Sequence, residues 1–159
     1  QGGNSEGGRR AKNHRDQAAR IMKKITITTV GELPRRDLLA IVMWLTKPDS
    51  EFQAECNAAR AGTASATPVA VWHAGDNLRG WACSHVWRHQ QTLEMFVAAD
   101  ARGCGIASAL SSFLIASGVI DPHKALAVFS PVTARIANRL GCVEVLQYAR
   151  SDNGWRLLP

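Results

Sequence analysis

No run in these 159 residues approaches the roughly 18 to 20 consecutive apolar positions that a membrane-spanning helix requires, since Leu38 to Leu45 and Ala125 to Phe129 are among the longest. The four cysteines, Cys56, Cys83, Cys104 and Cys142, contain no CxxC pair, so neither a zinc site nor a disulfide framework is written locally. Reduced thiols in a cytoplasmic protein are the expected state. His14, His73 and His123 have no metal-ligand spacing, and His73 and His85 are too far apart in sequence to argue as a pair, so the expectation is no metal. Acidic residues are also scarce, 13 against 19 Lys and Arg, for a net charge of +6. Seven of those basic residues fall between Arg9 and Lys24, opposed only by Glu6 and Asp16, and the rest of the chain is nearly balanced. The basicity therefore belongs to a tail, and contact with nucleic acid is expected only through it.

What remains is ordinary globular material, 46% hydrophobic and 20% charged, at the length of about one domain. Residues 1–21 hold two Gly-Gly pairs, almost no large apolar side chain and no signal-peptide core; they read as a disordered basic tail or an upstream extension, with the domain at 22–159. Lys24 to Val30 alternates and is β-branched, which predicts a first strand with Ile25 and Ile27 on one face. Pro34 opens a helix whose apolar stripe is Leu38, Ile41, Val42 and Leu45, and Pro48 stops it. Ser50 with Gln53 makes a capping box for a second helix carrying Phe52, Cys56 and Ala59. After a linker from Gly62 to Pro68 the period changes to two. Val69–His73, Leu78–Val86 and Thr92–Val97 predict an antiparallel meander, turning at Ala74–Asn77 and near Arg88–Gln91.

Beyond Val97 the chain reads Ala98 to Ala101, then Arg102-Gly103-Cys104-Gly105, then a helix with Ile106, Leu110, Phe113 and Leu114 on one face. Lys124–Phe129 is a buried strand, and Ser130, Pro131 and Gly141 bracket another helix. Val143–Tyr148 and Trp155–Leu158 close the chain as a hairpin. The order predicts an α+β domain: a central mixed, mostly antiparallel sheet of six to seven strands, flanking helices and one βαβ crossover. Trp72, Trp81 and Trp87 recur at strand parity and are expected in the core or lining a cleft rather than stacking bases.

A strand, a short loop and a glycine-rich helix start place several backbone amides at the positive end of a helix dipole, where an anion binds. The alternative is a plain glycine turn. A Walker loop needs Lys-Ser/Thr where Ile106-Ala107 stand, and a dinucleotide fingerprint needs a third glycine where Ser108 stands. The segment from Leu93 to Leu110, LEMFVAADARGCGIASAL, resembles the acetyl-CoA-binding motif of the GCN5-related N-acetyltransferases, whose Gln/Arg-x-x-Gly-x-Gly/Ala signature is met by Arg102, Gly105 and Ala107. The resemblance spans about residues 22–158 through the order of elements.

That resemblance implies acetyl-CoA as cofactor. It implies that Arg102 and the amides of Gly103, Cys104, Gly105, Ile106, Ala107 and Ser108 cradle the pyrophosphate, and that the strand end at Met95, Phe96 and Val97 pairs with the pantetheine arm. Ser130, where many relatives carry Asn, joins them; the Cys104 thiol is read as a spectator. It also implies direct acetyl transfer to a primary amine, of a small molecule or a protein, by a monomer or homodimer. The departures are as definite. Ala137 stands where the family's acid is a tyrosine, and Gln91 where many relatives carry a glutamate base. Glu94 is the replacement base chosen here, with His85, His89 and Tyr148 as further candidates. A coenzyme-binding domain that no longer catalyses is the alternative function. The acceptor itself has no motif.

Overall fold

A computed structural model describes residues 5–22, 24–44 and 51–159. Five helices, α1 (Ser5–Met22), α2 (Arg35–Trp44), α3 (Glu51–Arg60), α4 (Ile106–Ala116) and α5 (Pro131–Arg139), surround one sheet. Its strands are β1 (Ile25–Thr29), β2 (Pro68–Ala74), β3 (Asn77–Cys83), β4 (Val86–Trp87), β5 (Gln90–Val97), β6 (Leu126–Val128), β7 (Val145–Ser151) and β8 (Gly154–Leu157). The spatial order is β1-β2-β3-β5-β6-β7-β8, with β4 paired to β5. All pairings are antiparallel except β5 with β6 and β6 with β7. The fold class is the expected α+β, a mixed, mostly antiparallel sheet flanked by helices. The sequence predicted one crossover; β6–α5–β7 adds a second parallel one to β5–α4–β6.

Alternation along each strand divides the core in two. Ile25, Ala70, Ala82, Leu93, Leu126 and Val128 face α4 and α5 and pack on Leu110, Leu114 and Ala137. Val69, Val71, Trp81 and Cys83 face α2 and α3 and pack on Leu38, Ile41, Phe52 and Cys56. Leu110, Leu114, Leu126 and Phe52 are fully buried, each contributing about 1.5–3 kcal/mol of transfer free energy. Gly80 lets α4 sit this close: a Cβ there would meet Ile106 Cγ2 and Leu110 Cδ1 at 3.3 Å each. α4 is thereby held against β3 with its first turn beside the end of β5.

Two expectations are corrected. Residues expected to be disordered form α1 from Ser5, a helix exposed along most of its length and tied down by Ile21 in the core. Its Ala, Arg, Lys and Gln residues are good helix formers, and Asp16 stands four residues from both Lys12 and Arg20. The strand predicted from Leu78 to Val86 breaks after Cys83, and a two-residue turn at Arg88 and His89, both at positive φ, joins β4 to β5. The main path of the sheet has seven strands, as expected, and the two-residue β4 pairs with β5 beside it. Leu45, Pro48 and Ser50, on which the end of one helix and the cap of the next were argued, lie outside the described residues.

Candidate functional site

The parallel ladder of β5 with β6 has three rungs, Gln91↔Leu126, Thr92↔Ala127 and Leu93↔Val128, and then the strands part. β5 continues to Val97 against β3 only. The amide of Ala98 bonds the Arg79 carbonyl, so by strand alternation the backbone groups of Met95 and Val97 point toward the opening. A cavity of about 390 Å³ fills this fork, lined by Met95, Phe96 and Val97 on one wall and Ser130, Val132 and Thr133 on the other. Its floor is the turn from Ala101 through Ser108.

The local sequence dictates that floor. Gly105 caps α4 at φ 80°, ψ 11°, a left-handed conformation that glycine adopts without cost, and makes no side-chain cap. The first hydrogen bond into the helix is the Ala109 amide to the Gly105 carbonyl. Among the described residues no acceptor takes the amides of Gly103, Cys104, Gly105, Ile106, Ala107 or Ser108. α5 points its own N-terminus into the same cavity, capped by Ser130 Oγ accepting from the Thr133 amide at 3.1 Å. Two helix N-termini thus present positive potential to one cavity, a setting for a multiply charged anion.

Of the cofactor residues predicted from the sequence, Met95, Phe96, Val97, Arg102, Gly103, Gly105, Ile106, Ala107, Ser108 and Ser130 line this one cavity. Cys104 does not; its exposed thiol lies 3.9 Å from the Arg102 carbonyl. Arg102 is exposed at the rim, with Nε donating to the Val97 carbonyl at 2.9 Å and its guanidinium over the Phe96 ring. Val132, Thr133 and Ala101 were missed. The signal for the first two was the Ser130-Pro131 cap itself, which starts a helix directly at the end of the strand that forms the fork's far wall.

Glu94 is the first residue past the last parallel rung and alternates with Met95, so it stands on the α2/α3 face rather than in the cavity. Opposite it in the β3 ladder is Cys83. Burial pushes the Cys83 thiol well above its ordinary range, helped by the Glu94 carboxylate. Burial likewise pushes Cys56 up to about 12, with Glu55 and Glu94 adding to it. Glu55 accepts hydrogen bonds from the hydroxyls of Ser65 and Thr67. Further along this face Trp87, Phe129, Tyr148 and Trp155 interlock, with Trp87 4.8 Å from Tyr148 and Phe129 5.0 Å from Trp155 between ring centroids. Arg88 covers Trp87 at 4.3 Å.

The positions that depart from the acetyltransferase pattern have structural occupations. Gln91 Nε2 donates to the carbonyls of Asp121 (2.6 Å) and Lys124 (3.4 Å), and Gln91 Oε1 accepts from the Asp121 amide (2.9 Å). Ala137 is fully buried under α4. The Tyr148 hydroxyl accepts from Gln90 Nε2 at 3.3 Å within the aromatic cluster. His89 is exposed in the hairpin turn, whereas His85 is half-buried with Nδ1 3.2 Å from Thr92 Oγ1. Trp81 lies in the core against Phe52. Among the described residues no helix is long and apolar enough to cross a membrane.

No protein-family model matches the chain, and no curated protein matches it. Among the solved structures similar to it is a ribosomal-protein-alanine N-acetyltransferase from Brucella melitensis, 19% identical, covering 80% of this chain and 76% of that one at a TM-score of 0.41. An N-acetyltransferase from Staphylococcus aureus Mu50 is 19% identical over 81% of this chain and 75% of its own, at a TM-score of 0.43. The Salmonella typhimurium protein yncA, solved with its cofactor acetyl-CoA, is 18% identical over 79% and 68%, at a TM-score of 0.41.

Proposed function

We propose that this chain is an acetyl-CoA-dependent N-acetyltransferase of the GCN5-related type, transferring the acetyl group directly to a primary amine. The observation that carries this reading is the fork between β5 and β6 opening onto the Gly103–Ser108 turn, whose amides bond no other group among the described residues. A pyrophosphate satisfies such amides at a helix N-terminus without any lysine, and Arg102 at the rim adds a cation. The thin pantetheine arm suits the slot between Met95–Val97 and Ser130–Thr133, where a strand edge offers amide and carbonyl groups.

In this reading the thioester comes to rest where the strands part, and the amine approaches it from the α2/α3 face on which Glu94 stands. The amine nitrogen attacks the thioester carbonyl carbon, the carbon–sulfur bond breaks, and the thiolate leaves. Glu94 takes the proton that the amine loses, and a strand amide at the fork polarises the carbonyl oxygen. A thiolate is a weak base, so its departure depends little on a tyrosine at position 137. The aromatic face formed by Trp87, Phe129, Tyr148 and Trp155 is the ground on which the acceptor lies.

A second reading, a coenzyme A-binding protein without catalysis, is favoured by Gln91 and Ala137, which occupy the usual base and acid positions and are committed to packing and loop hydrogen bonds. Calorimetry with acetyl-CoA, followed by thiol release against a panel of amines, separates the two. Binding with turnover of an amine supports the transferase; binding with no turnover on any amine supports the second reading. Absence of binding at millimolar acetyl-CoA overturns both.

A further inference from the structure

We propose that Cys83, His85 and Glu94 form a binding site for a divalent metal ion of the zinc class, on the sheet face turned away from α4. One donor atom from each lies within 4.8 Å of the other two. Around a tetrahedral zinc, with sulfur at about 2.3 Å and nitrogen or oxygen at about 2.0–2.1 Å, donors stand about 3.3–3.6 Å apart. The three therefore close on an ion by roughly one ångström, a displacement that side-chain torsions supply. Thiolate, imidazole and carboxylate are the donor set that suits zinc, and three protein ligands leave a fourth position for water.

Strand pairing builds the site from residues that sequence spacing leaves apart. Cys83 and Glu94 are direct partners in the β3–β5 register, and His85 follows Cys83 by two residues in the break before β4. Thr92 fixes that break: its hydroxyl accepts from the His85 amide at 3.1 Å and donates to the His85 carbonyl at 3.2 Å, and its own amide donates to the same carbonyl at 3.1 Å. The same Oγ1 stands 3.2 Å from His85 Nδ1, and in the tautomer that carries its proton on Nδ1 the ring donates there. Nε2 then holds the lone pair. This is how a metal-ligating histidine is oriented, one ring nitrogen hydrogen-bonded to the protein and the other toward the ion. Glu51 Oε2, on the exposed first turn of α3, stands 4.0 Å from that Nε2 and can rotate in as an oxygen ligand.

On binding, a sulfur–metal bond forms at Cys83 and the thiol proton leaves to solvent. The ion site does not rest on the transferase reading, but the two uses of Glu94 compete, since a bound ion withdraws it from proton transfer. The test is titration of the full chain, stripped with chelator, by Co²⁺ and then Zn²⁺, with no coenzyme and no amine, so that its failure says nothing about acetyl transfer. One equivalent of Co²⁺ should give the thiolate-to-cobalt charge-transfer band in the near ultraviolet with the visible bands of a four-coordinate ion, both displaced by Zn²⁺. Cys83→Ala should abolish the charge-transfer band and Cys104→Ala, at the exposed thiol, should leave it intact. Glu94→Gln, which changes little volume, should weaken cobalt affinity by about tenfold or more and keeps the test open should Cys83→Ala fail to fold. No charge-transfer band, a band that survives Cys83→Ala or is lost in Cys104→Ala, or unchanged affinity in Glu94→Gln would overturn the proposal.

Discussion

Replacing Gly105 by valine should abolish coenzyme binding while leaving a folded protein, and the size of each effect follows from the turn. A Cβ built on Gly105 meets nothing within 4 Å, so the substitution creates no clash inside the protein. What it costs is the backbone conformation, φ 80°, which penalises an L-residue by roughly 1–2 kcal/mol and suits a β-branched one least. At about 2–4 °C per kcal/mol for a chain of this size, the melting temperature should fall by about 2–8 °C. Wild-type protein at 100 times the dissociation constant of acetyl-CoA gains about 2.7 kcal/mol, a rise of about 5–11 °C. The variant should show none, because the new side chain projects into the space that the cavity floor offers the pyrophosphate. Gly105→Asn separates the two causes, since asparagine tolerates left-handed φ and still fills that space. It should melt near wild type and also lose the shift. The assay is a thermal melt with and without acetyl-CoA for all three proteins; a wild-type shift in Gly105→Asn refutes the placement of phosphate on these amides.

Glu94→Gln should lower turnover on an identified amine by about 100-fold or more with acetyl-CoA affinity unchanged, measured by thiol release and calorimetry; unchanged turnover removes Glu94 as the base. Gln91→Glu installs the residue type that many GCN5-related N-acetyltransferases use as a base, yet it should not raise turnover and should destabilise by about 1–3 kcal/mol in denaturant titrations, because a carboxylate cannot donate to the Asp121 and Lys124 carbonyls. A chain beginning at Met22 should bind acetyl-CoA normally, since among the described residues none of α1 lines the cavity, but should lose about 1.5–3 kcal/mol with the burial of Ile21. Burial holds Cys56 protonated up to about 12 against an ordinary 9.0, so the stability this gives is fully present below pH 9 and is lost as pH rises toward 12. Denaturation midpoints should decline over that window, and less steeply in Cys56→Ala.

The parts legible in the sequence were those written by neighbours along the chain. Arg102-Gly103-Cys104-Gly105 and Ser130-Pro131 specify turn and caps through backbone conformation, and each forms where the spacing predicted. α1 was misread because hydrophobic periodicity is the signal for a helix, and residues from Gly8 to Arg20 present only polar or small side chains; propensity and one anchor, Ile21, do what an apolar stripe does elsewhere. The run from Leu78 to Val86 keeps a strand's composition through Ser84 and His85, and what breaks it is Thr92, seven residues on from His85. Likewise Cys83, His85 and Glu94 carry no local spacing, since only the register of β3 with β5 makes them neighbours.

Gln91 and Glu94 are three residues apart on one strand and stand in different settings, which the end of the parallel ladder separates. Gln91 sits on its first rung, and its carboxamide binds the Asp121 amide and the Asp121 and Lys124 carbonyls, fixing the loop that delivers β6. That loop sets the register in which Leu93 meets Val128, and hence the residue at which the strands part. Glu94 is that residue. A carboxylate at position 91 would lie within the closed ladder, away from the opening, and would release the loop that creates it. The loss of a glutamate at 91 is therefore compatible with acid–base chemistry in this chain, provided the proton is taken one residue beyond the last rung, where the fork begins.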